Sequence, residues 1–592
     1  MKKYSIIFLF IFFGQLSTIS QSCLPEGIEF LTQEDIDNFL SNYPNCTVIE
    51  GDVIIGNKWG NTFYNLDGLQ KITTINGDLI INLASDLENL SGMENLVTIK
   101  GDLQIRSNQD LVSLDGLDNL TSLGGNLYIG GNSKLIDLSV FKEMTHFPGN
   151  VEIVGNNELF DVLGFENLSV VGGNLYIAGN NLKDLSGLTK LVRIDGSFTL
   201  SNEPNLVNLA GLDSLKIVKE INIFQCSNLI SCQELQGISS LKNLRIHYNN
   251  SLKSLLGLHN ISTISGLLSV LWNNSLSSIS SLENVTFIGG YLNVSSNFSM
   301  QSLTGLQNIT SIAGNCVLWD NSMLKDLSGL ESISSIGGDL SVVGSDALID
   351  FTGLNNLVDI GGDLYIRENP SLINFEGLNN LIYIGGSLII GDIYSTPEKS
   401  NASLENCSGL DNLKTIGVDL NIIRNSSLTS LLALNHLESL GGSLRIRFNE
   451  SLSSLEGLGS IDEASINYIN ISNNISLSNC NVASICNYLS EPSGIETIVA
   501  NDYGCSSPAE IRMGCEELPF VCYPNPAKEE IHILVPEGKT LKKFAIYSLN
   551  GKQVLYGQTS DYILDISSLD GGTFILELQI DNIVFSEKLI IE

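Results

Sequence analysis

Residues 111–135 read LVSLDGLDNLTSLGGNLYIGGNSKL, and residues 351–372 read FTGLNNLVDIGGDLYIRENPSL. Both follow one pattern, x-L-x-G-L-x-N-L-x-x-I-G-G-x-L-x-I-x-x-N-x-x-L, which recurs through most of the chain. Its Gly-Leu step marks 17 units, most of them 24 residues apart; one 32-residue step, from Gly377 to Gly409, inserts a loop near Asp392 to Asn401. The first residue of this step is, in order, Gly68, Gly92, Gly116, Val140, Gly164, Gly187, Gly211, Gly237, Gly257, Ser281, Gly305, Gly329, Gly353, Gly377, Gly409, Ala433 and Gly457. A fixed short period predicts a solenoid in which each coil contacts only its neighbours.

The coil from Gly101 to Leu123 shows how one repeat folds. Leu103 and Ile105 alternate with polar residues, which is the period of a strand with one buried face. Leucines then recur at every third residue up to Leu123, so the rest of the coil also points apolar side chains inward. Ordering the backbone of a coil costs about 1–2 kcal/mol per residue, more than burial of its few apolar side chains returns. A lone coil is therefore unstable, and the predicted fold class is mainly β, a stacked solenoid.

An asparagine follows most of the predicted strands by three residues. At a tight inward turn, its side chain can satisfy backbone groups of its own coil and of the next coil. We interpret these residues as a structural ladder inside the solenoid rather than as catalytic groups. The predicted ladder comprises Asn108, Asn132, Asn156, Asn180, Asn249, Asn273, Asn297, Asn321, Asn369, Asn425, Asn449 and Asn474, with Cys226 in this place once.

The composition argues against several classes of function. The chain has 65 acidic and 30 basic residues among 592, a formal net charge of −35. This charge disfavours nucleic-acid partners and attachment to an anionic membrane surface. The N-terminus predicts a signal peptide over 1–20, because Lys2 and Lys3 precede a short apolar run and small residues lead up to Ser20. No other segment reaches about 18 apolar residues, so we expect no membrane span in the mature chain.

Eleven cysteines indicate an oxidising compartment. Two flank the start of the repeats and four follow the last one, where a solenoid needs caps over its apolar ends. We therefore predict an N-terminal cap over 21–50, repeats over 51–478 and a Cys-rich C-terminal cap over 479–517. The spacing typical of a zinc site is missing, so we expect disulfides, although their pairing cannot be read from the sequence and at least one thiol stays single. The disulfide candidates are Cys23, Cys46, Cys480, Cys486, Cys505 and Cys515.

The repeat signature resembles the receptor L-domain family. The resemblance implies right-handed β-helices with leucine-rich-repeat character, as found in growth-factor receptor ectodomains and fungal cell-wall proteins. Cys23 and Cys46 flank a helix predicted to start at Thr32, with Asp35 in a capping-box position, and this arrangement resembles the cap of that family. Because 17 coils exceed one ordinary L domain, we transfer no ligand-contact residue from the family.

The last segment, 518–592, lacks the 24-residue period and has the pattern of short alternating strands. It carries YPNPA at 523–527, FAIYSLNGK at 544–552 and EKLII at 587–591, and Asn550-Gly551 is a hairpin signal that predicts a small β-sandwich. The segment resembles the type A C-terminal sorting domain of the type IX secretion system of Bacteroidetes. That resemblance implies the type IX secretion machinery as a partner. It also implies that the protein crosses the periplasm and is secreted or held at the outer-membrane surface.

Parallel β-helices include polysaccharide lyases and hydrolases, so an enzyme is one alternative. Such catalysis needs convergent carboxylates, or a base beside a cation, on one face. Outward strand positions rarely carry acids, with Glu152 nearly alone there, and the five histidines lie in separate repeats or in the tail. The Asp or Asn residues that follow glycine pairs, such as Asp102 and Asn126, fit turn residues better than calcium ligands. We therefore expect no catalytic residue, no metal and no cofactor.

The outward strand positions favour a binding function. The chain has eight arginines, five of which fall on this face together with several aromatic residues. Arginine and aromatic residues are enriched at interaction hot spots. The alternative is that such residues simply suit exposed strands and discourage edge aggregation, which would leave a passive envelope scaffold. We predict adhesion to an unidentified glycan or surface protein. The candidate ligand-binding residues are Tyr128, Tyr176, Phe224, Arg245, His247, Trp319, Tyr365, Arg367, Arg445 and Arg447.

Overall fold

The computed structural model describes residues 21–56, 60–392, 400–490, 495–516, 518–536, 538–559 and 561–592. The predicted signal peptide, 1–20, and most of the predicted loop near Asp392 to Asn401 lie outside these residues. The chain forms two compact units, one ending at Ser227 and the other comprising Asn228–Glu592. Parallel β-sheets built from the repeats dominate both units.

In the N-terminal unit, one strand of each coil joins a parallel sheet that we call the main sheet. Its strands are Ile28–Phe30, Val53–Ile55, Leu79–Asn82, Leu103–Arg106, Leu127–Gly130, Val151–Val154, Leu175–Ala178, Ser197–Ser201 and Glu220–Phe224. Equivalent repeat positions pair, so Leu103 lies between Leu79 and Leu127. Alternate side chains are buried, and the solenoid core is the stack of these apolar residues.

The C-terminal unit has a main sheet of the same construction. Its strands are Asn243–His247, Leu268–Leu271, Leu292–Ser295, Cys316–Trp319, Leu340–Val343, Leu364–Arg367, Leu388–Ile390, Leu420–Ile423, Ser443–Arg447, Tyr468–Ser472 and Ile495–Val499. Strand pairing is parallel throughout, and Leu364 again lies between its equivalents Leu340 and Leu388.

Most coils also add a two-residue strand to a second parallel sheet. In the N-terminal unit these strands form two sheets. The five-stranded one contains Ser22–Cys23, Val48–Ile49, Thr74–Ile75, Thr98–Ile99 and Ser122–Leu123, and the three-stranded one contains His146–Phe147, Val170–Val171 and Arg193–Ile194. A separate pair joins Asn61–Thr62 to Ala84–Ser85. In the C-terminal unit they are Ser240–Leu241, Thr263–Ile264, Phe287–Ile288, Ser311–Ile312, Ser335–Ile336, Asp359–Ile360, Tyr383–Ile384, Thr415–Ile416 and Ser439–Leu440. Single 3-10 turns cover Asp67–Leu69, Ser139–Phe141, Leu163–Phe165, Ser186–Leu188, Gln233–Leu235, Ser280–Leu282, Leu432–Leu434 and Glu463–Ser465.

The solenoid has about 19 turns, more than the 17 expected from the repeat. Two of the main-sheet strands beyond the 17 units are Ile28–Phe30 and Ile495–Val499, which lie in the segments expected to be caps. They pair in register with the strands that contain Val53 and Tyr468. Neither segment carries the Gly-Leu step that marks the repeat, so the sequence pattern did not reveal these turns.

The described residues include three α-helices: α1, Gln33–Asn42; α2, Ala483–Ser490; and α3, Pro508–Glu516. α1 begins as predicted, because the Thr32 side chain accepts the backbone N–H of Asp35 and the Asp35 carboxylate accepts the backbone N–H of Thr32. All three helices lie in the segments predicted as caps, near the ends of the repeats.

Three disulfides stabilise the same regions: Cys23–Cys46, Cys480–Cys505 and Cys486–Cys515. The prediction of disulfides near the solenoid ends is confirmed, and the structure supplies the pairing that the sequence left open. The other five cysteines, Cys226, Cys232, Cys316, Cys407 and Cys522, are buried thiols. Burial raises the pKa of the Cys316 and Cys407 thiols to about 12, so both stay protonated and act as small apolar side chains.

The ladder asparagines are buried inside the solenoid, and each links two coils. The Nδ2 of Asn132 donates to the carbonyl of Ile105 at 3.0 Å, and its Oδ1 accepts the backbone N–H of Asn108 at 3.0 Å. In the C-terminal unit, Asn297 likewise accepts the backbone N–H of Asn273 at 3.0 Å. These side chains satisfy buried backbone groups at the point where the chain turns inward, where water cannot reach them.

Four ladder positions were not predicted from the sequence, because the residue type or the spacing changes there. Glu203 follows Asn180 after 23 residues, and its carboxylate accepts the backbone N–H of Asn180 at 3.0 Å and of Leu182 at 3.1 Å. Burial raises the pKa of Glu203, although these N–H donors oppose the shift. The other three positions are Ser345, Asn401 and Asn501.

Ser345 leaves a gap in the ladder that an asparagine should fill. Its backbone N–H donates to Asn369 Oδ1 at 3.0 Å, but its buried Oγ has no hydrogen-bond partner. An asparagine at 345 would reach the backbone N–H of Asn321 and the carbonyl of Leu318, as other ladder residues reach their equivalents. We expect Ser345→Asn to stabilise the protein by about 1–2 kcal/mol, measured as a higher unfolding temperature in calorimetry.

The control for this substitution is Ser277→Asn, which places the same side chain on an exposed coil position. It should leave the unfolding temperature nearly unchanged, because surface substitutions rarely exceed about 0.5 kcal/mol. An unfolding temperature for Ser345→Asn at or below that of the wild type would show that the coil has closed around the serine and has no room for a further ladder residue.

Two more rows of hydrogen bonds run along the surface. After the glycine pairs, Asn126 donates its backbone N–H to Asp102 Oδ1 at 2.7 Å, and equivalent bonds recur in neighbouring coils. At the Asn of the Gly-Leu-x-Asn-Leu step, Asn119 Nδ2 donates to the carbonyl of Glu94 at 2.7 Å. The Asp and Asn residues after the glycine pairs are therefore turn residues that also bind the adjacent coil.

The tail forms two antiparallel sheets with one shared core. One sheet contains Val521–Tyr523, Glu530–Leu534 and Ile563–Asp565. The other contains Leu541–Ser548, Gln553–Gly557, Gly572–Ile580 and Ile583–Ile591. The hairpin expected at Asn550-Gly551 joins the strands that pair Ile546 with Leu555. Ile531, Leu564 and Leu578 are among the side chains of the shared core.

Candidate binding surface

The outward face consists of the solvent-side positions of the main sheets, where the candidate residues lie. In the N-terminal unit, Tyr128 and Tyr176 occupy equivalent positions on either side of Glu152. The guanidinium carbon of Arg106 lies 4.8 Å from the centre of the Tyr128 ring, a cation–π contact. Phe224 lies half-buried at the end of its strand. This part of the outward face therefore presents aromatic rings, and the Arg106 guanidinium packs against one of them, Tyr128.

In the C-terminal unit the face begins with Arg245 and His247. His247 Nε2 lies 2.8 Å from Ser269 Oγ. Burial, and to a lesser extent the charge of Arg245, lower the pKa of His247 to about 4, so this histidine is neutral near pH 7. Trp319 is exposed, and its Nε1 donates to Ser341 Oγ at 2.7 Å. Each ring is thus fixed by a serine of the following coil.

Tyr365 and Arg367 share one strand and are each bound to a carboxylate. The Tyr365 hydroxyl donates to Asp363 at 2.8 Å, and this hydrogen bond together with partial burial raises the pKa of Tyr365 to about 12. The Arg367 guanidinium contacts Asp392 at 3.2 Å. Both side chains are half-buried, which limits how much they can move.

Arg445 is held more closely than any other candidate. It donates to the carboxylate of Asp419 and to Ser443 Oγ, and its guanidinium carbon lies 5.8 Å from the Tyr468 ring centre. Burial alone would raise the pKa of Asp419, but hydrogen bonds from the Ser443 backbone and from Arg445 outweigh it and hold that pKa below its ordinary value. Arg445 therefore belongs to a small network of fixed geometry.

Arg447 and Arg424 both lie over the Phe448 ring, at 5.3 Å and 5.2 Å from its centre. This places two cations on one aromatic side chain at the edge of the face. The structure thus brings Arg445 and Arg447 together in one region of the C-terminal unit. Because neighbours already restrict these side chains, little conformational entropy remains to be lost when a ligand binds.

A further row of side chains lies at the residue before each ladder position except Asn401, and we call it the corner row. Its backbone is left-handed, with φ between 53° and 68° in the C-terminal unit. The two-residue alternation ends at this position, so it does not predict the direction of the side chains. In the C-terminal unit the corner row comprises Tyr248, Trp272, Ser296, Asp320, Gly344, Glu368, Arg424, Phe448, Asn473 and Ala500.

Two corner-row aromatics form an exposed cluster with Phe298. The rings of Tyr248 and Trp272 are parallel within 7°, with centres 6.0 Å apart, and Phe298 packs edge-on against Trp272 at 5.8 Å. These side chains remain 48%, 40% and 40% exposed, respectively. Sequence reasoning did not place them in a site, although an aromatic residue at two successive corner positions was a signal that could have been used.

A cleft of about 230 Å³ adjoins this cluster. Phe298 and Pro370 line it with apolar surface, and Asp320, Asp346 and Glu368 line it with carboxylates around Gly344. Among the described residues, no group of His, Cys, Asp or Glu side chains is arranged to hold a metal ion. The cleft thus combines carboxylates with apolar walls.

A larger cavity, about 440 Å³, lies beside the C-terminal cap. Tyr503, Met513, Leu518 and Pro536 are among the residues that line it. The carboxylate of Glu510 faces it but accepts hydrogen bonds from Gly504 and Ser506. This carboxylate thus has a structural role in closing the cap.

Two segments of the chain match known protein families. Residues 45–145 match the family described as Receptor L domain, and residues 521–592 match the Secretion system C-terminal sorting domain. Residues 45–145 are thus similar to a receptor L domain, and the tail is similar to a type IX sorting domain. The tail assigns handling to the type IX secretion system and export to the cell surface or the medium. No curated protein matches the chain. In the portion of the chain that the structure describes, no helix is long and apolar enough to cross a membrane.

Proposed function

We propose that this exported protein is a binding or adhesion protein, not an enzyme, and that its outward face holds a glycan or protein ligand. The supporting observation is the placement of arginine in an acidic chain. Five of the eight arginines lie on the outward face, while the chain as a whole carries a net charge of −35. Exposed strands accommodate such residues in any case, but recognition of a ligand is a direct reason to concentrate cations on one face of an acidic molecule.

The geometry of the face supports binding rather than catalysis. Asp363, Asp392 and Asp419 beside the face are engaged by Tyr365, Arg367 and Arg445, respectively. Such engagement leaves them as positioning groups, whereas a glycosidase needs a pair of carboxylates that flank the scissile bond. The rigid aromatic and guanidinium groups are instead the kind of anchors that dominate binding interfaces.

The experiment is a binding screen of the exported chain, 21–592, on glycan arrays and on envelope and host-surface proteins. The test variant changes Tyr365, Arg367, Arg445 and Arg447 to serine. We expect the parent to bind a ligand and the variant to bind it about tenfold more weakly or worse, because hot-spot side chains are each worth about 2 kcal/mol or more.

The matched control changes Tyr383 and Lys414 to serine, which removes an exposed aromatic residue and a cation beside the second sheet instead. Equal binding by parent and test variant would place the ligand elsewhere on the molecule. If no ligand binds the parent, the passive-scaffold alternative gains support. Release of new reducing ends from polysaccharides would support the enzyme alternative.

A further inference from the structure

The cleft beside Phe298 is lined by Gly344, where the corner row has no side chain. A Cβ added there would overlap the Oδ1 of Asp320. The adjoining corner positions carry Asp320 on one side and Glu368 on the other, so the cleft is a gap between two long acidic side chains. Gly344 has φ of 68°, the same value as Gly155 in the corner row of the N-terminal unit, where a Cβ would make only ordinary contacts with Gly131.

The aromatic corner residues next to this cleft occupy a costly backbone conformation. A left-handed residue other than glycine costs about 1–2 kcal/mol, and bulky residues are rare there. Three successive corner positions of the N-terminal unit use glycine, whereas Ser107, Asn202 and Gln225 hold the same left-handed conformation there without it, and Tyr248 and Trp272 do so in the C-terminal unit. Because both rings are largely exposed, core packing does not account for them. The left-handed backbone is common to the whole corner row, so the feature that distinguishes Tyr248 and Trp272 is their exposed aromatic surface, which is the kind of surface that ligands contact.

Phe298 connects the two features, since it packs against Trp272 and also lines the cleft. Aromatic surface next to carboxylates suits a sugar: ring C–H groups contact the aromatic carbons, and hydroxyls donate hydrogen bonds to the carboxylates. The carboxylate of Asp346, in a chain of net charge −35, would repel a uronate, sulfate or phosphate group. The local chemistry therefore selects an uncharged oligosaccharide over an acidic one.

We infer that the C-terminal unit carries a subsite for an uncharged oligosaccharide, formed by Tyr248, Trp272, Phe298 and the cleft at Gly344. This subsite is separate from the outward face, because it uses corner-row side chains and the residues that follow the ladder. Its ligand class is also more definite than that of the face. The sugar ring contacts the aromatic cluster, and its hydroxyls enter the cleft between Asp320 and Glu368.

The test measures binding of the exported chain, 21–592, by isothermal titration calorimetry. The probes are cellohexaose, maltohexaose, mannohexaose and xylohexaose, with hexagalacturonate as the acidic comparison. Gly344→Asn fills the cleft with a residue that tolerates a left-handed backbone, and Trp272→Ala removes aromatic surface. We expect at least one neutral oligosaccharide to bind, and either variant to weaken that binding about tenfold or more.

Two control variants address folding and location. Gly155→Asn makes the same change at the same φ, and Tyr383→Ala removes an exposed aromatic residue of the second sheet; both should bind like the parent. The inference is overturned if no neutral oligosaccharide binds, if both test variants bind like the parent, or if hexagalacturonate binds better. Loss of sugar binding in the outward-face variant alone would also overturn it, while supporting the proposed function.

Discussion

Replacement of Gly329 by alanine is expected to destabilise the C-terminal unit by about 3–5 kcal/mol. Gly329 opens the Gly-Leu step of its coil with φ of 111°, an angle that is essentially confined to glycine. An added Cβ would overlap the carbonyl group of Leu303 in the preceding coil and lie 2.5 Å from the backbone nitrogen of Thr304. Backbone strain and steric overlap therefore act together, and the neighbouring coil prevents either from relaxing.

The matched control is Ser281→Ala, which places alanine in the same repeat position of another coil of that unit. Ser281 lies in the 3-10 turn Ser280–Leu282, a form of the step that accepts a Cβ. We expect this control to change stability by no more than about 0.5 kcal/mol. Both variants are compared with the parent by calorimetric unfolding. Equal unfolding temperatures for Gly329→Ala and the parent would show that the step can adopt the 3-10 form without cost.

The two conformations of the Gly-Leu step also explain why some coils lack glycine there. Val140, Ser281 and Ala433 replace glycine in the Gly-Leu step, and each lies in a 3-10 turn. The 3-10 turn Gln233–Leu235 places Glu234 at this step as well, so the register expected at Gly237 was wrong. Coils such as the one at Gly329 make a tighter turn with positive φ instead. The step thus has two local conformations. The 3-10 form accepts a Cβ at Val140, Ser281 and Ala433, but at Gly164 and Gly187 a Cβ would overlap a carbonyl oxygen of the preceding coil.

The period predicts the strands and most of the ladder because burial repeats with it. Leu103 and Ile105 alternate with polar residues, and Asn108 then has to turn inward, so one coil predicts the next. This rule does not predict Glu203, which has a carboxylate instead of an amide and follows Asn180 after 23 residues. Its carboxylate nevertheless accepts the backbone N–H of Asn180, as a ladder asparagine would. Hydrogen-bonding capacity, rather than residue identity, is what the position requires.

The candidate surface is less accessible to sequence reasoning than the fold. Alternation places Tyr365 and Arg445 on the outward face, but their partners Asp363 and Asp419 become visible only with the strand register and the side-chain conformations. The cleft at Gly344 depends on what its neighbours in adjacent coils leave empty, and no single repeat encodes that. Periodicity describes what coils share, whereas a site depends on how particular coils differ.

Replacement of Asn297 by leucine is expected to cost about 3–6 kcal/mol, because it leaves several buried polar groups without partners. Asn297 Nδ2 donates to the carbonyls of Val270 at 2.8 Å and Ser295 at 3.0 Å. Its Oδ1 accepts from the backbone N–H of Asn273 at 3.0 Å and from the Asn273 side chain at 3.3 Å. Leucine has similar volume but can make none of these bonds, and no water reaches the fully buried position.

The control is Asn308→Leu, at the exposed asparagine of the Gly-Leu step that follows Asn297. Asn308 Nδ2 donates to the carbonyl of Glu283 at 2.7 Å, but both groups can bind water when this bond is lost. We expect the control to cost about 1 kcal/mol or less. Calorimetry measures both unfolding temperatures. A loss for Asn297→Leu no larger than that for the control would show that the ladder follows the turn without stabilising it.

Hydrogen exchange separates this structural role from a general loss of folding. In a solenoid, stability is close to a sum of terms for each coil and its neighbours. Removal of the Asn297 side chain should therefore raise exchange first at Asn273, whose N–H loses its partner, and at amides of the two adjoining coils. Uniformly faster exchange across the C-terminal unit would mean that the ladder couples distant coils. Protection retained at Asn273 would mean that its N–H has found another acceptor, and the ladder would then be redundant.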